Sequence, residues 1–488
     1  MPFIDLVAKD DYASLWYITN TPCGNVGGFD PAKPTIVMMH PLHVDSTWLY
    51  PQFDDPRLTG KYNIIAFDTR LTGTSMNRFT GKYDFYVAAA DLAHAFYHLR
   101  LPPAHIWASE AFCYVALRLA AIFPELCLSV TLCNVPAQTE PKAVFEGLEE
   151  LTRLWCYAED LESFEYACSL HLSHNASPDI HPEVADEMVT FFQMNWPPFK
   201  RSKLITFGQF ILNRIPMNTE ELAAVRCPVL ICQAEANPVY PMVFAEKLVE
   251  DLINVPGEVI LYKVKASIGL ITIFSASIVN KVFHNFLSRL PSSSSELEES
   301  TKSVEEVMQE SLHRLATLRN DPSVARRDPK SPLAFSMVTQ EVWKSQEDAF
   351  KVFAKGERKA FSPLTENGRP IRKYSERKDD WIQINSDGYS YSNTPLKSKL
   401  SKEKPKKTKS QDFTQPPPPP PPPPLPPAAT VRLEKVEIPI SEPVSSTEQA
   451  LARSRRLVVG PSYTVEQQVV KGSKNAVAKF ADPRRYIS

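Results

Sequence analysis

The chain has 488 residues, 43% of them hydrophobic, with 44 prolines, 8 cysteines and a formal net charge of −2. This suffices for a globular core and excludes a protein dominated by one sign of charge, but the balance is uneven: residues 292–488 carry about +8 and the preceding part about −10. All the cysteines precede residue 233, without a CxxC pair or metal-ligand spacing, so free buried thiols are expected rather than disulfides or a metal site. The first residues lack the basic and apolar regions of a signal peptide, and the uncharged stretch 266–280 is too short for a span of roughly 20 residues. A cytoplasmic protein without cofactor is the expectation.

From residue 35 short apolar runs alternate with helical patterns. Strands are predicted at Thr35–Met39, Asn63–Phe67, His105–Ala108 and Leu128–Val135, with helices at Ala88–Leu99 and over the segment holding Val115, Leu117, Leu119 and Ile122. Residues 137–224 read as amphipathic helices, among them Val144–Tyr157 and Glu183–Met194. The alternation then resumes with strands Val229–Cys232 and Val259–Val264 and helices Val243–Leu252 and Ala276–Leu287. Near-continuous apolar strands between helices predict a doubly wound, mostly parallel α/β sheet with a helical cap at about 137–224. Ligands of such sheets bind at the carboxyl ends of the strands.

Four patterns lie at those ends. They are His40-Pro41 after the first predicted strand, Asp68-Thr69-Arg70-Leu71-Thr72-Gly73-Thr74-Ser75 after the second, the strand-turn-helix around Ala108-Ser109-Glu110-Ala111-Phe112, and Gln233-Ala234-Glu235-Ala236-Asn237-Pro238-Val239-Tyr240-Pro241. In this order they resemble the α/β-hydrolase superfamily. Three further runs, Asp11–Leu15, Gly24–Asp30 and Ala158–Phe164, make residues 1–290 similar to a group of hydrolase-fold proteins from mushroom-forming fungi.

The resemblance implies a nucleophile on a Gly-x-Ser-x-Gly elbow, a histidine base and a carboxylate that orients it. Glu110 stands in the nucleophile's place, and Phe112 replaces a glycine, which puts the shape of the turn in question. Ser109, one residue before the tip, is expected to point away from the crevice. Asn237 stands in the acid's place, with Glu235 as an alternative carboxylate. The base position falls near Gly269, and no histidine occurs between His181 and His284. The oxyanion donors are expected to be the amides of Leu42 and Ala111, behind the amide-less Pro41, with His40 and His43 lining the pocket. For Glu110 the alternatives are a carboxylate hydrogen-bonded at the helix start, a lone general base with a raised pKa, or a nucleophile like the aspartate of epoxide hydrolases.

Residues 292–488 are expected to be a largely disordered Pro/Lys/Ser-rich tail following a domain of residues 1–291. Val304–Leu318 and Val342–Phe353 have helical spacing, but neither builds a core alone. Lys397–Lys409 holds seven lysines, a solvated run that would also serve nuclear import; nucleic acid is not the expected partner. Nine prolines at Pro416–Pro424, continuing to Pro427, must form polyproline II, either a spacer or a ligand for SH3, WW, EVH1 or profilin-like partners. Three readings follow: a catalytically degenerate hydrolase fold binding a small hydrophobic ligand or a protein, an active ester, lactone or epoxide hydrolase using Glu110, and an adaptor acting through the polyproline run.

Overall fold

The computed structural model describes residues 2–176, 180–296 and 302–377. The Lys397–Lys409 and Pro416–Pro427 runs lie outside the described residues. Eight strands form one sheet: β1 (Phe3–Val7), β2 (Tyr12–Thr19), β3 (Thr35–Met39), β4 (Asn63–Phe67), β5 (Ala104–Ser109), β6 (Cys127–Cys133), β7 (Val229–Ala234) and β8 (Ile260–Val264). Their spatial order is β1-β2-β4-β3-β5-β6-β7-β8, and the two-residue strand Met76–Asn77 pairs with β2. From β4 onward every pairing is parallel, whereas β1–β2 and β2–β4 are antiparallel.

Every residue of β3, β4, β5 and β7 is buried, which is why these strands read as unbroken apolar runs. Helices α1 (Phe85–Leu99) and α2 (Cys113–Ile122) follow β4 and β5. Between β6 and β7 the chain leaves the sheet as α3 (Lys142–Cys156), α4 (Leu161–Asn175), α5 (Pro182–Asn195) and α6 (Arg201–Leu212), with a short turn of helix at Thr219–Ala223. Helices α7 (Met242–Asp251) and α8 (Ala276–Leu287) complete the alternation.

The fold does not stop at residue 291. Helices α9 (Val304–Leu318) and α10 (Gln340–Ala354) belong with the sheet to one compact unit that runs to Arg377. Neither helix needs a core of its own, because each lays its apolar face on a helix already present. Met308, Leu312 and Leu315 of α9 are buried, and the Arg314 guanidinium donates to the Ile122 carbonyl at the end of α2. The intervening segment crosses α1: the Met337 amide donates to Asp84 Oδ2 at 2.7 Å and the Phe335 ring meets Phe123 at 5.4 Å. Helix α10 reaches the cap, where Arg201 Nε donates to the Phe353 carbonyl at 2.7 Å. The expected boundary at 291 is therefore corrected: the strap at 302–377 covers faces that residues 1–291 alone would expose.

Candidate active-site edge

The carboxyl edge of the sheet is built around the turn from β5 to α2. Glu110 occupies the tip with φ +56°, a left-handed conformation costing a non-glycine residue about 1–2 kcal/mol. The turn thus has the strained shape of a nucleophile elbow despite Phe112, whose ring is buried against His40 at 5.3 Å. The doubt that the phenylalanine raised is resolved in favour of the elbow. Ser109, the last residue of β5, is buried and its hydroxyl has no partner among the described residues.

Glu110 is 1% exposed and its carboxyl faces the loop after β3. Oε2 accepts a hydrogen bond from the Leu42 amide at 2.7 Å, while Oε1 is buried on the side of the Tyr240 phenol with no well-formed hydrogen bond among the described residues. The expected oxyanion donor is therefore engaged by the side chain at the tip. Burial pushes the Glu110 pKa up to about 7, against the opposing pull of the Leu42 amide and the nearby Tyr240 phenol. The amide of Ala111, the second expected donor, lies in the buried turn that follows. An isolated carboxyl in this state can hold a proton near neutrality.

The other two positions are engaged differently. Asn237 Oδ1 accepts from the amides of Val239 at 2.8 Å and Tyr240 at 3.0 Å, and Nδ2 donates to the Ser267 carbonyl at 3.0 Å. It ties the loop after β7 to the loop after β8. Glu235 is exposed, so it does not replace Asn237 inside the edge. At Gly269 a β-carbon would stand 1.8 Å from the Asn175 carbonyl oxygen, and the Gly269 amide donates to the Ala176 carbonyl at 3.1 Å. The end of α4 packs directly on Gly269. The sequence has no histidine between His181 and His284, and the group packed on Gly269, a main-chain carbonyl nearly a hundred residues away, left no local signal.

The Asp68–Ser75 loop is bonded throughout. Asp68 Oδ1 accepts from the Ser46 amide at 2.9 Å and Oδ2 from the Thr74 amide at 2.8 Å. Gly73, at φ +46°, passes so close that a β-carbon would meet Asp68 Oδ2 at 2.0 Å. The buried Arg70 guanidinium pairs with Asp11 and Asp91 at 2.6–2.8 Å. Burial works against its charge, and Asp91 and Asp11 outweigh that, so its pKa lies above the usual arginine value. Sequence reasoning named Arg70 but missed both partners; a lone acid at Asp91 inside an apolar helix was the available clue. His40 is buried too, with Nδ1 donating to the Pro41 carbonyl at 2.8 Å and Nε2 3.0 Å from Thr72 Oγ1. It holds the loop.

Under the cap, His43, Leu151, Trp155, His171, Phe192 and Trp196 are among the residues around a cavity of about 40 Å³. That volume admits a few atoms. Glu110 is not among its walls. Burial, then the neighbouring His174, lowers the His43 pKa to about 3, and burial also holds His171 down, so both imidazoles are neutral at pH 7. Among the described residues no cluster of three or more His, Cys, Asp or Glu is placed to hold a metal ion, and no helix is long and apolar enough to cross a membrane.

Strand order, helical cap and left-handed elbow together define an α/β-hydrolase fold. No protein-family model matches the chain. Among curated proteins it is similar to RutD of Caulobacter sp. (strain K31), a carbamate hydrolase by provisional name: 22% identity over 233 residues, 47% of this chain and 82% of that one. Solved structures aligned with it include the enol-lactonase of Burkholderia xenovorans LB400 (18% identity, 57% of this chain and 97% of that one, TM-score 0.45). A thermophilic esterase of Thermogutta terrifontis also aligns (16% identity, 59% and 99%, TM-score 0.47).

Proposed function

We propose that this protein is a hydrolase-fold protein without hydrolase chemistry, retained for binding. The observation that carries this reading is the Asn175 carbonyl lying 1.8 Å from any β-carbon at Gly269, which leaves no room for a base beside the elbow. Two others support it: Glu110 Oε2 takes the Leu42 amide, and Asn237 joins two loops. Without a base, neither a hydroxyl nor a carboxylate at the tip has a group to activate it or to activate water against an ester intermediate. The resemblance to hydrolase-fold proteins of mushroom-forming fungi, and a cytoplasmic or nuclear setting, belong to the same proposal. A small hydrophobic ligand under the cap and an SH3-, WW-, EVH1- or profilin-like partner for Pro416–Pro427 are the bound species it envisages.

A second reading is favoured by one feature, the unpartnered Oε1 of a Glu110 carboxyl with a pKa of about 7. In it Glu110 acts as a lone base. The full chain assayed against esters, lactones, epoxides and carbamates separates the two. No turnover above buffer is expected; turnover abolished in Glu110→Ala would overturn the binding reading and establish the second.

A further inference from the structure

His43 sits in the turn after β3 with φ +63°, a conformation that a residue with a side chain holds only where its surroundings enforce it. Both of its peptide neighbours are tied: Glu110 takes the Leu42 amide before it, and its own carbonyl accepts from Trp196 Nε1 at 2.8 Å. The imidazole so placed lines the cavity of about 40 Å³ under the cap. Its Nδ1 is buried without a hydrogen bond among the described residues. The imidazoles of His40, His105 and His171 are engaged, by Pro41 and Thr72, by Ser129 Oγ at 2.8 Å, and by Asn175 Nδ2 at 3.0 Å.

The other walls offer little polarity. The Trp155 indole donates to the Trp196 carbonyl at 2.6 Å, and Thr152 Oγ1 donates to the Leu148 carbonyl at 2.7 Å. Of the lining residues, His43 alone has a buried side-chain nitrogen or oxygen without a partner. An ordered water uses about two to four polar partners, more than this enclosure leaves open. One unsatisfied imidazole within aromatic and aliphatic walls matches a ligand with one polar group and an apolar remainder.

We propose that this cavity binds a short-chain alcohol, its hydroxyl on the His43 imidazole and its alkyl chain against the Trp155, Phe192 and Trp196 rings. The proposal rests on the binding reading and narrows its small hydrophobic ligand to one that carries a hydroxyl. A hydroxyl both donates and accepts, so it satisfies the imidazole whichever nitrogen holds the proton. No acidic side chain lines the cavity and both its imidazoles are neutral, so an ionic ligand would be buried without a counter-charge. The volume is that of about three water-sized spheres, which sets the ligand at about three or four heavy atoms.

Titration of the full chain at pH 7 with 1-propanol, and separately with xenon, tests this by nuclear magnetic resonance on isotope-labelled histidine and tryptophan. Xenon is the apolar control, since it enters small dry cavities and makes no hydrogen bond. Saturable binding of 1-propanol in the millimolar range is expected, shifting the His43 ring nitrogens and giving cross-peaks to the Trp155 and Trp196 indoles. His43→Phe keeps a ring and removes the nitrogens. It should weaken 1-propanol at least about fivefold, the worth of one net hydrogen bond, and leave xenon binding within about twofold. If that variant fails to fold, the wild-type His43 resonances decide: 1-propanol that moves the indole signals but not the His43 nitrogens overturns the proposal. Xenon binding without 1-propanol binding also overturns it, and leaves a purely hydrophobic ligand under the cap in place. Binding of neither probe would overturn it together with the cap ligand of the binding reading.

Discussion

The Asp68–Ser75 loop and the Glu110 elbow flank the same strand, β3, and have kept opposite things. The loop keeps its residues: Asp68, Arg70, Gly73 and Ser75 each make a contact that a substitution would break. The elbow has a positive φ at Glu110, while the residue types around it depart from the pattern that the resemblance implies. What survives along this edge follows internal bonding. Arg70 answers two buried carboxylates, and Asn237 and Glu110 likewise bond to neighbouring backbone.

The sharpest way to break this comparison is at Gly269. Gly269→Ala puts a methyl into the Asn175 carbonyl and should cost more than about 4 kcal/mol, since backbone rather than a flexible side chain must move. Gly208→Ala on α6 is the control: nothing lies within 4 Å of the added carbon, and the helix should gain about 0.5–1 kcal/mol. Equal melting temperatures for the two variants would show that the base position is open. Arg70→Met should cost about 3–5 kcal/mol in chemical denaturation, because it leaves Asp11 and Asp91 buried without their partner. Adding Asp11→Asn and Asp91→Asn should recover much of that loss; no recovery would mean that the arginine's packing, not its charge, holds the loop.

Glu110 gives the smallest effect and a pH signature. Its folded pKa of about 7 exceeds the ordinary 4.5, so the native state favours the protonated carboxyl. Its contribution is complete below pH 4.5 and declines as pH rises to about 7, by up to about 3 kcal/mol. Glu110→Gln keeps an acceptor for the Leu42 amide and removes the titration. The variant should therefore gain on the wild type across that window, and parallel stability curves from pH 4.5 to 8 would rule out a buried titrating carboxyl.

The parallel strands were legible because both faces are buried, which turns each into an apolar run. The β1–β2 hairpin was missed: it pairs antiparallel at the sheet's edge, and its burial is broken by exposed positions such as Val7 and Tyr12. The strap was undervalued because α9 and α10 were judged for cores of their own. The missing clue lay in α2, whose ten residues are all buried, Arg118 included. A helix without a polar side must be covered all round, and α9 adds to the cover that the sheet, α1 and the Thr219–Ala223 turn already give it. At the site, the sequence shows that no histidine lies between His181 and His284. The Leu42–Glu110 bond was not visible there, because nothing at residue 42 announces which of its neighbours will accept its amide.

Gly269 also bears on the direction in which this protein can evolve. A histidine there collides with α4 before it can meet a nucleophile, and an aspartate at 237 sets an oxygen against the Ser267 carbonyl where an amide now donates. On the binding reading proposed above, each step toward a hydrolase triad is a loss of stability ahead of any gain in rate. Selection acting one substitution at a time meets a ratchet whose pawl is a backbone carbonyl.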